Sequence, residues 1–280
     1  MKHYLEELFT DIYSCHMDSE NEINKQKRYV GKEDYYHASA TGLCARKHYY
    51  RRTHTSPTNE PKPQDKRKMR LGTLVHNDFE ESIEGYSNAV KNWILSPSQK
   101  KESGVKKENN GFNYYSTIYS SIIKLYKNVR QIHHEQEIVL EDLEVRGFYD
   151  ICLETSDGIY LLDLKTIPYW SWRGKFGLKK NRDPNPSRHQ EMQLGTYGLA
   201  IEKQFGRLDG MFLLFYNKND SQVRLQEVPM SYLRQAETYW YELRKLLKTG
   251  LPKLRDGISP VYHWECTYCE FKDWCNPDQL

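Results

Sequence analysis

Apolar residues recur along the chain with two different periods, and the change between them marks out the elements. Tyr4, Leu5, Leu8, Ile12 and Tyr13 form an approximate helical stripe over the first 30 residues. Ser39 to Arg52, carrying Cys44, follows, and then a Pro/Thr/Lys-rich connector from Thr53 to Gln64 that reads as an exposed loop. From Lys68 to Glu84 the helical period returns, with Leu71, Leu74, Val75, Phe79 and Ile83 apolar and His76 embedded among them. The polar run from Gln99 to Asn113 separates two helices or forms an excursion within 88–130.

From His133 the pattern changes to that of strands. Three runs, His133 to Leu140, Val145 to Glu154 and Ile159 to Thr166, read as an antiparallel meander. A helix near Ser187 to Gln204, strands near Met211 to Asn217 and Val223 to Val228, and a helix from Ser231 to Lys248 complete the series before a cysteine-rich tail. A central mixed sheet flanked by helices predicts an α/β or α+β architecture.

In a strand alternate side chains share a face, so Asp163 and Lys165 point the same way. Thr155-Ser156-Asp157-Gly158 joins the second and third strands, and Asp-Gly favours a two-residue turn. That turn sets Ser156 opposite Ile159, Asp150 opposite Lys165 and Cys152 opposite Asp163. The two carboxylates are then diagonal neighbours on one face, about 7–8 Å apart at the backbone. A three-residue loop would send Asp150 to the other face. Clustered carboxylates repel unless a cation compensates them, and oxygen donors suit Mg²⁺ or Mn²⁺; Lys165 alone can also serve as that cation.

Composition changes the picture little. The 280 residues, 38% hydrophobic and 28% charged, are enough to bury a substantial core, and no apolar run approaches the roughly 18 residues of a membrane span. The N-terminus lacks a secretion signal, so a cytoplasmic location is expected. A net charge of +3 decides nothing, but its distribution does. Basic residues gather at Lys66-Arg67-Lys68-Met69-Arg70 and from Lys175 to Arg182, near Trp170, Trp172 and Phe176. Cations that hold phosphate beside rings that stack bases suit a single strand; the plainer account is a solvated loop. Trp170, Trp172, Arg173, Lys175, Lys179 and Lys180 are the candidate nucleic-acid contacts.

Six cysteines in a chain expected to stay in the cytosol point to a metal site before a disulfide framework. Cys266-Thr267-Tyr268-Cys269 and Cys275 supply three thiols, and Cys15, Cys44 and Cys152 are the candidates for a fourth.

Taken together, Gly147 with Asp150, Asp163-Leu164-Lys165 followed by Thr166, the upstream His76 and the downstream Gln193 and Tyr197 resemble the PD-(D/E)XK nucleases, specifically their RecB-like branch. The four elements stand in the order found there and span residues 72 to 197. The resemblance implies a restriction-endonuclease-like α/β fold and a single nuclease domain over 1–280. Within it, 1–67 would be an N-terminal helical part, 68–230 the nuclease core and 231–280 a C-terminal helix and cysteine segment.

The resemblance also implies roles. Asp150 and Asp163 would hold Mg²⁺ or Mn²⁺, with the Leu164 carbonyl and His76 as further ligands; Lys165 would position the attacking water. Gln193 and Tyr197, four apart on one helix face, would support Lys165 or contact substrate. Glu135 or Glu137 could steady a metal-bound water. RecB-like nucleases with an iron-sulfur cluster use one cysteine ahead of the histidine motif and three near the C-terminus. On that likeness, shared with CRISPR-associated adaptation nucleases and the AddB nuclease domain, Cys44, Cys266, Cys269 and Cys275 would hold a [4Fe-4S] cluster joining the two ends of the chain, with zinc as the alternative.

The implied activity is a deoxyribonuclease, an exonuclease on single-stranded or frayed DNA ends, with 5′-to-3′ polarity common among such relatives. Helicase, recombination or CRISPR adaptation proteins would be partners in trans. The competing account is a non-catalytic nucleic-acid-binding module with a structural zinc site.

Overall fold

The computed structural model describes residues 34–99, 128–177, 188–255 and 257–275, with side chains of 88–99 left out, and three isolated helical positions, Ile12, Ser19 and Ile23. The remainder of the N-terminal stripe, Cys15, most of the polar run Gln99 to Asn113, and Lys179 and Lys180 lie outside the described residues.

A two-residue strand, β1 (Tyr36–His37), leads through a 3-10 turn into helix α1 (Ala45–Arg52), whose N-cap is Cys44. Helix α2 runs from Pro63 to Gln99. It therefore takes up the end of the expected connector and crosses the expected boundary at 67/68; Pro63 suits a first helical turn, where its missing N–H leaves no bond unmade. Strands β2 (Val129–Leu140), β3 (Val145–Thr155) and β4 (Ile159–Ile167) form the meander. Then come helix α3 (Tyr169–Phe176), helix α4 (Arg188–Phe205), strands β5 (Gly210–Asn217) and β6 (Val223–Val228), helix α5 (Ser231–Leu247) and a short helix α6 (His263–Thr267).

The sheet is mixed. β3 pairs antiparallel with β2 along one edge; its other edge carries β4, antiparallel over 151–154, and β1, parallel at Tyr36↔Val145 and His37↔Arg146. β5 runs parallel to β4, and β6 antiparallel to β5. The crossover between the two parallel strands contains α4, which covers the face bearing Leu161, Met211, Leu213 and Phe215, all fully buried. α5 packs over α4, and its buried Trp240 donates from Nε1 to Thr196 Oγ1 at 3.0 Å. Thr196 Oγ1 also lies 2.9 Å from Thr41 Oγ1, so one hydroxyl pair joins the N-terminal segment to both helices. α2 lies on the opposite face, with Gly72 against Thr166 and Phe79 against Tyr216.

The hairpin between β3 and β4 differs from the expected register. Glu154 pairs with Ile159 and Cys152 with Leu161, so Thr155-Ser156-Asp157-Gly158 is a four-residue turn and each pairing moves by two residues. Asp157-Gly158 does not act alone, because Thr155 organises the turn. Its hydroxyl oxygen accepts from the N–H groups of Asp157 (3.1 Å) and Gly158 (3.0 Å), and its own N–H donates to the Gly158 carbonyl (2.9 Å). A shift of two leaves every side chain on its face.

Candidate active site

The paired part of β3 and β4 ends at Ile151↔Leu162. One residue further, Asp150 and Asp163 would face each other, but the strands part there. Asp150 Oδ2 instead accepts from the Leu164 backbone N–H at 2.6 Å. On the other side the β2–β3 pairs flank a gap, His134↔Ile151 and Gln136↔Tyr149, in which Glu135 would stand opposite Asp150. Glu135 leaves the ladder with φ +47°, a left-handed conformation that costs a side-chain-bearing residue energy and that collects at functional sites. Glu135, Asp150 and Asp163 thus occupy one row across three strands, at the point where the sheet opens.

α2 brings His76 to this opening. Its Nδ1 lies 3.7 Å from Asp150 Oδ2, and its ring is within hydrogen-bonding reach of the Leu164 backbone. Burial, then the charge of Lys165, lowers its pKa, so the ring is neutral at neutral pH and keeps a lone pair for a metal. Among the described residues, the one set of three or more ligating side chains with atoms within 4.8 Å of one another is His76, Glu135 and Asp150.

Asp163 is 1% exposed, and its Oδ1 has no hydrogen-bond donor. Lys165 Nζ lies 2.6 Å from Oδ2 in a close ion pair. Burial, the largest influence, raises the carboxyl pKa to about 6 despite Lys165, and Asp150 adds to the rise. A buried carboxylate with one oxygen unpaired and a second carboxylate beside it is the environment a divalent cation relieves. Burial opposes the Lys165 ammonium, but Asp163 and Asp150 outweigh it and raise its pKa.

From α4 Gln193 Oε1 accepts from Lys165 Nζ at 3.1 Å, and Gln193 Nε2 donates to Tyr197 Oη at 3.0 Å. Helical spacing puts both on the sheet-facing side, and the chain of bonds holds the ammonium against Asp163. Tyr197 approaches β3 at Gly147, where a Cβ would lie 2.9 Å from Tyr197 Cε1 and 2.8 Å from Ala38 Cβ. Gly147→Ala is therefore expected to cost about 1–3 kcal/mol and to displace Tyr197; a thermal melt matching wild type would show that the neighbours yield freely.

The candidate nucleic-acid contacts divide. Trp170 is 75% exposed, and Arg173 Cζ lies 5.5 Å from its ring centroid. Trp172, expected to stack on bases, is instead buried among Phe176 and the core, because α3 packs back on the sheet. Lys175 also turns inward, donating to Gln226 Oε1 at 2.5 Å with its Nζ 4.5 Å from the Phe215 ring centroid.

Cys44, Cys266, Cys269 and Cys275 line one cavity of about 750 Å³, with Lys47 and Lys272. No three of their sulfurs lie within 4.8 Å of one another. A closed zinc tetrahedron, with Zn–S of about 2.3 Å, would draw them to about 3.8 Å. The cavity has room for a larger group. N–H donors point at the sulfurs, Arg46 Nε at Cys275 (3.2 Å) and the Phe271 N–H at Cys269 (3.4 Å), as suits thiolate ligands. Cys152 is buried in the sheet core away from this cavity, and burial pushes its thiol up to about 12.

Acidic side chains and a lysine at the splayed end of a mixed sheet, with a helix-borne imidazole beside them, define the metal-using hydrolase class of the restriction-endonuclease-like fold. The model of the PD-(D/E)XK nuclease superfamily matches residues 37–276, and the chain belongs to that superfamily. In its general form the activity is that of a metal-using nuclease that acts on DNA. No helix among the described residues is long and apolar enough to cross a membrane.

Among solved structures, the protein SSO0001 shares the fold at 16% identity and a TM-score of 0.51, covering 98% of each chain. An exonuclease candidate from Eubacterium rectale aligns at 15% identity and a TM-score of 0.46, over 91% of this chain and 92% of its own. The alkaline exonuclease of Laribacter hongkongensis aligns at 10% identity and a TM-score of 0.37, over 81% and 94%. A search of curated proteins by sequence finds no match.

Glu135 is the residue that strand patterning did not single out. Its neighbour Glu137 shares its parity, and the kink that separates the two has no signature in residue type.

Proposed function

We propose that the chain is a Mg²⁺- or Mn²⁺-dependent deoxyribonuclease that removes nucleotides from single-stranded or frayed DNA ends. The observation that carries this reading is the buried Asp163 carboxylate, one oxygen unpaired and the other held by Lys165, beside Asp150 and His76. Asp150, Asp163, the Leu164 carbonyl and His76 would hold the metal. When bound, it polarises the phosphoryl oxygen and lowers the pKa of attacking water. Lys165, held by Gln193 and Tyr197, orients that water and offsets charge gathering on the phosphate. Glu135 closes the row on the far side of Asp150. The exposed Trp170, with Arg173 beside its ring, favours a single-stranded substrate, since stacked bases must be free of a duplex. Exonuclease action with 5′-to-3′ polarity, a single nuclease domain over 1–280, and service in recombination, replication, repair or CRISPR adaptation with partners in trans rest on the RecB-like resemblance.

For the second centre we infer a [4Fe-4S] cluster on Cys44, Cys266, Cys269 and Cys275, which line one cavity, favoured over zinc by the likeness to iron-sulfur RecB-like nucleases. The activity is tested with end-labelled single-stranded DNA, with and without Mn²⁺. Metal-dependent release of short products is expected from wild type, with loss in Lys165→Ala. Equal cleavage by both proteins would remove Lys165 from the mechanism, and none by wild type with any divalent metal would sink the nuclease reading.

A further inference from the structure

One residue past Lys165, strand β4 presents Thr166 to the opposite side of the sheet, toward α2. The helix meets it at Gly72, which is buried. A Cβ on Gly72 would lie 3.0 Å from Thr166 Oγ1 and 3.9 Å from Lys218 Nζ. A hydroxyl in tight contact and an ammonium therefore converge at one glycine.

Lys218 directly follows β5, and its backbone N–H donates to the Ile167 carbonyl at 3.0 Å, which ties the ends of the two parallel strands together. The ammonium donates to the Lys68 carbonyl over a long 3.4 Å. Among the described residues it has no carboxylate within ion-pair distance. Burial is the one influence on its pKa, which it lowers. A half-buried ammonium facing a hydroxyl and no counter-charge is poorly compensated as it stands.

Two neighbouring features extend from this point. Gly72 and His76 are four apart on α2, so they share a face and lie about 6 Å apart along the axis. On the other flank, Asn219 Oδ1 accepts from the Tyr169 N–H at 2.8 Å, which joins the turn after Lys218 to the start of α3 and its exposed Trp170.

We propose that Lys218 and Thr166, facing Gly72, form a phosphate-binding subsite that holds the DNA backbone next to the scissile phosphodiester and leads the strand from the metal centre toward Trp170 and Arg173. The proposal rests on the nuclease reading above. A phosphodiester supplies what the pocket lacks: one negative charge for the ammonium and acceptor oxygens for both donors. A divalent cation would be repelled there, and a base edge would bring no charge.

The test uses the full chain in an Asp163→Asn background without divalent metal, so that DNA is bound and not cut. Anisotropy of a fluorescein-labelled oligothymidylate is followed over a range of salt concentrations. Lys218→Met is expected to weaken binding about tenfold and to flatten the slope of log K against log salt by about 0.7. Thr166→Val should weaken binding without changing the slope, because a hydroxyl releases no counterion. Lys218→Arg should restore the slope, which separates loss of charge from misfolding. Lys245→Met, an exposed charge on α5, is the control. Parental affinity and slope in Lys218→Met, or an equal loss in Lys245→Met, would overturn the subsite. Because this readout needs no cleavage, its failure is distinct from absence of nuclease activity.

Discussion

Replacing Asp163 with asparagine is expected to stabilise the metal-free protein while removing its activity. The carboxyl pKa stands at about 6 against an ordinary 3.8. The folded state therefore holds this proton more tightly than the unfolded chain does, and stability falls as pH rises from about 4 to about 6. Above that window the full penalty applies, about 3 kcal/mol. The attraction of Lys165 is already contained in that value, so a neutral isostere should recover most of it. For a chain of this size the gain corresponds to roughly 6–12 °C in Tm at pH 7. Cleavage should fall by more than the roughly 100-fold that loss of a metal's supporting residue costs.

Mn²⁺ should reverse the order. It raises the Tm of wild type, by about 2.7 kcal/mol of stability at a hundredfold excess over its dissociation constant, and affects the variant much less. Calorimetry at pH 4 and pH 7, with EDTA or Mn²⁺, reads all of this. A variant less stable than wild type at pH 7 in EDTA would show that Asp163 is a structural ion-pair partner of Lys165 and not a carboxylate waiting for a cation.

Cys44→Ser is the second substitution with a large expected effect. Anaerobically purified wild type should be brown, with iron and sulfide in equal amounts, and the variant should lose colour and iron together. A cluster joining residue 44 to residues 266–275 closes a loop of more than 200 residues, worth about 5 kcal/mol if it acts on the unfolded chain as a covalent cross-link does. The measured loss should be smaller, because the same seam is also hydrogen-bonded. The Cys44 N–H donates to Glu265 Oε1 (2.8 Å), Arg46 Nη1 to the Pro252 carbonyl (2.9 Å) and Tyr50 Oη to the Trp274 carbonyl (2.8 Å). A colourless wild type containing zinc would overturn the cluster. A brown, fully stable variant would move the fourth ligand elsewhere.

Much of the fold was legible because its strands alternate and its helices carry apolar stripes. The strand Val223 to Val228 was expected with the very limits it has, and α4 and α5 ended within a residue of expectation. The site was legible where spacing alone decides it. Asp163 and Lys165 share a face in any strand, and Gln193 and Tyr197 share one in any helix. What was not legible depended on tertiary contacts. Trp172 and Lys175 look like surface binding residues in composition, yet α3 folds back and buries one while tethering the other to Gln226. Glu135 owes its place to a left-handed residue in mid-strand, which nothing about a glutamate announces. The extent of α2 was underestimated at both ends, in stretches read as connector and as part of the segment 88–130, and Leu71 and Leu74, counted in its apolar stripe, are exposed.

The turn at 155–158 also limits how this chain can vary in length. Its loop is two residues longer than an Asp-Gly hairpin requires, and the carboxylates survive the difference because the strand repeat is itself two. Insertions and deletions here are thus sorted by parity: changes of two residues keep Asp150 beside Asp163, whereas a single added or lost residue turns one of them to the wrong side. Lineages that lengthen or shorten this hairpin should do so in even steps, and an odd step should appear only with a compensating bulge between the turn and Asp150.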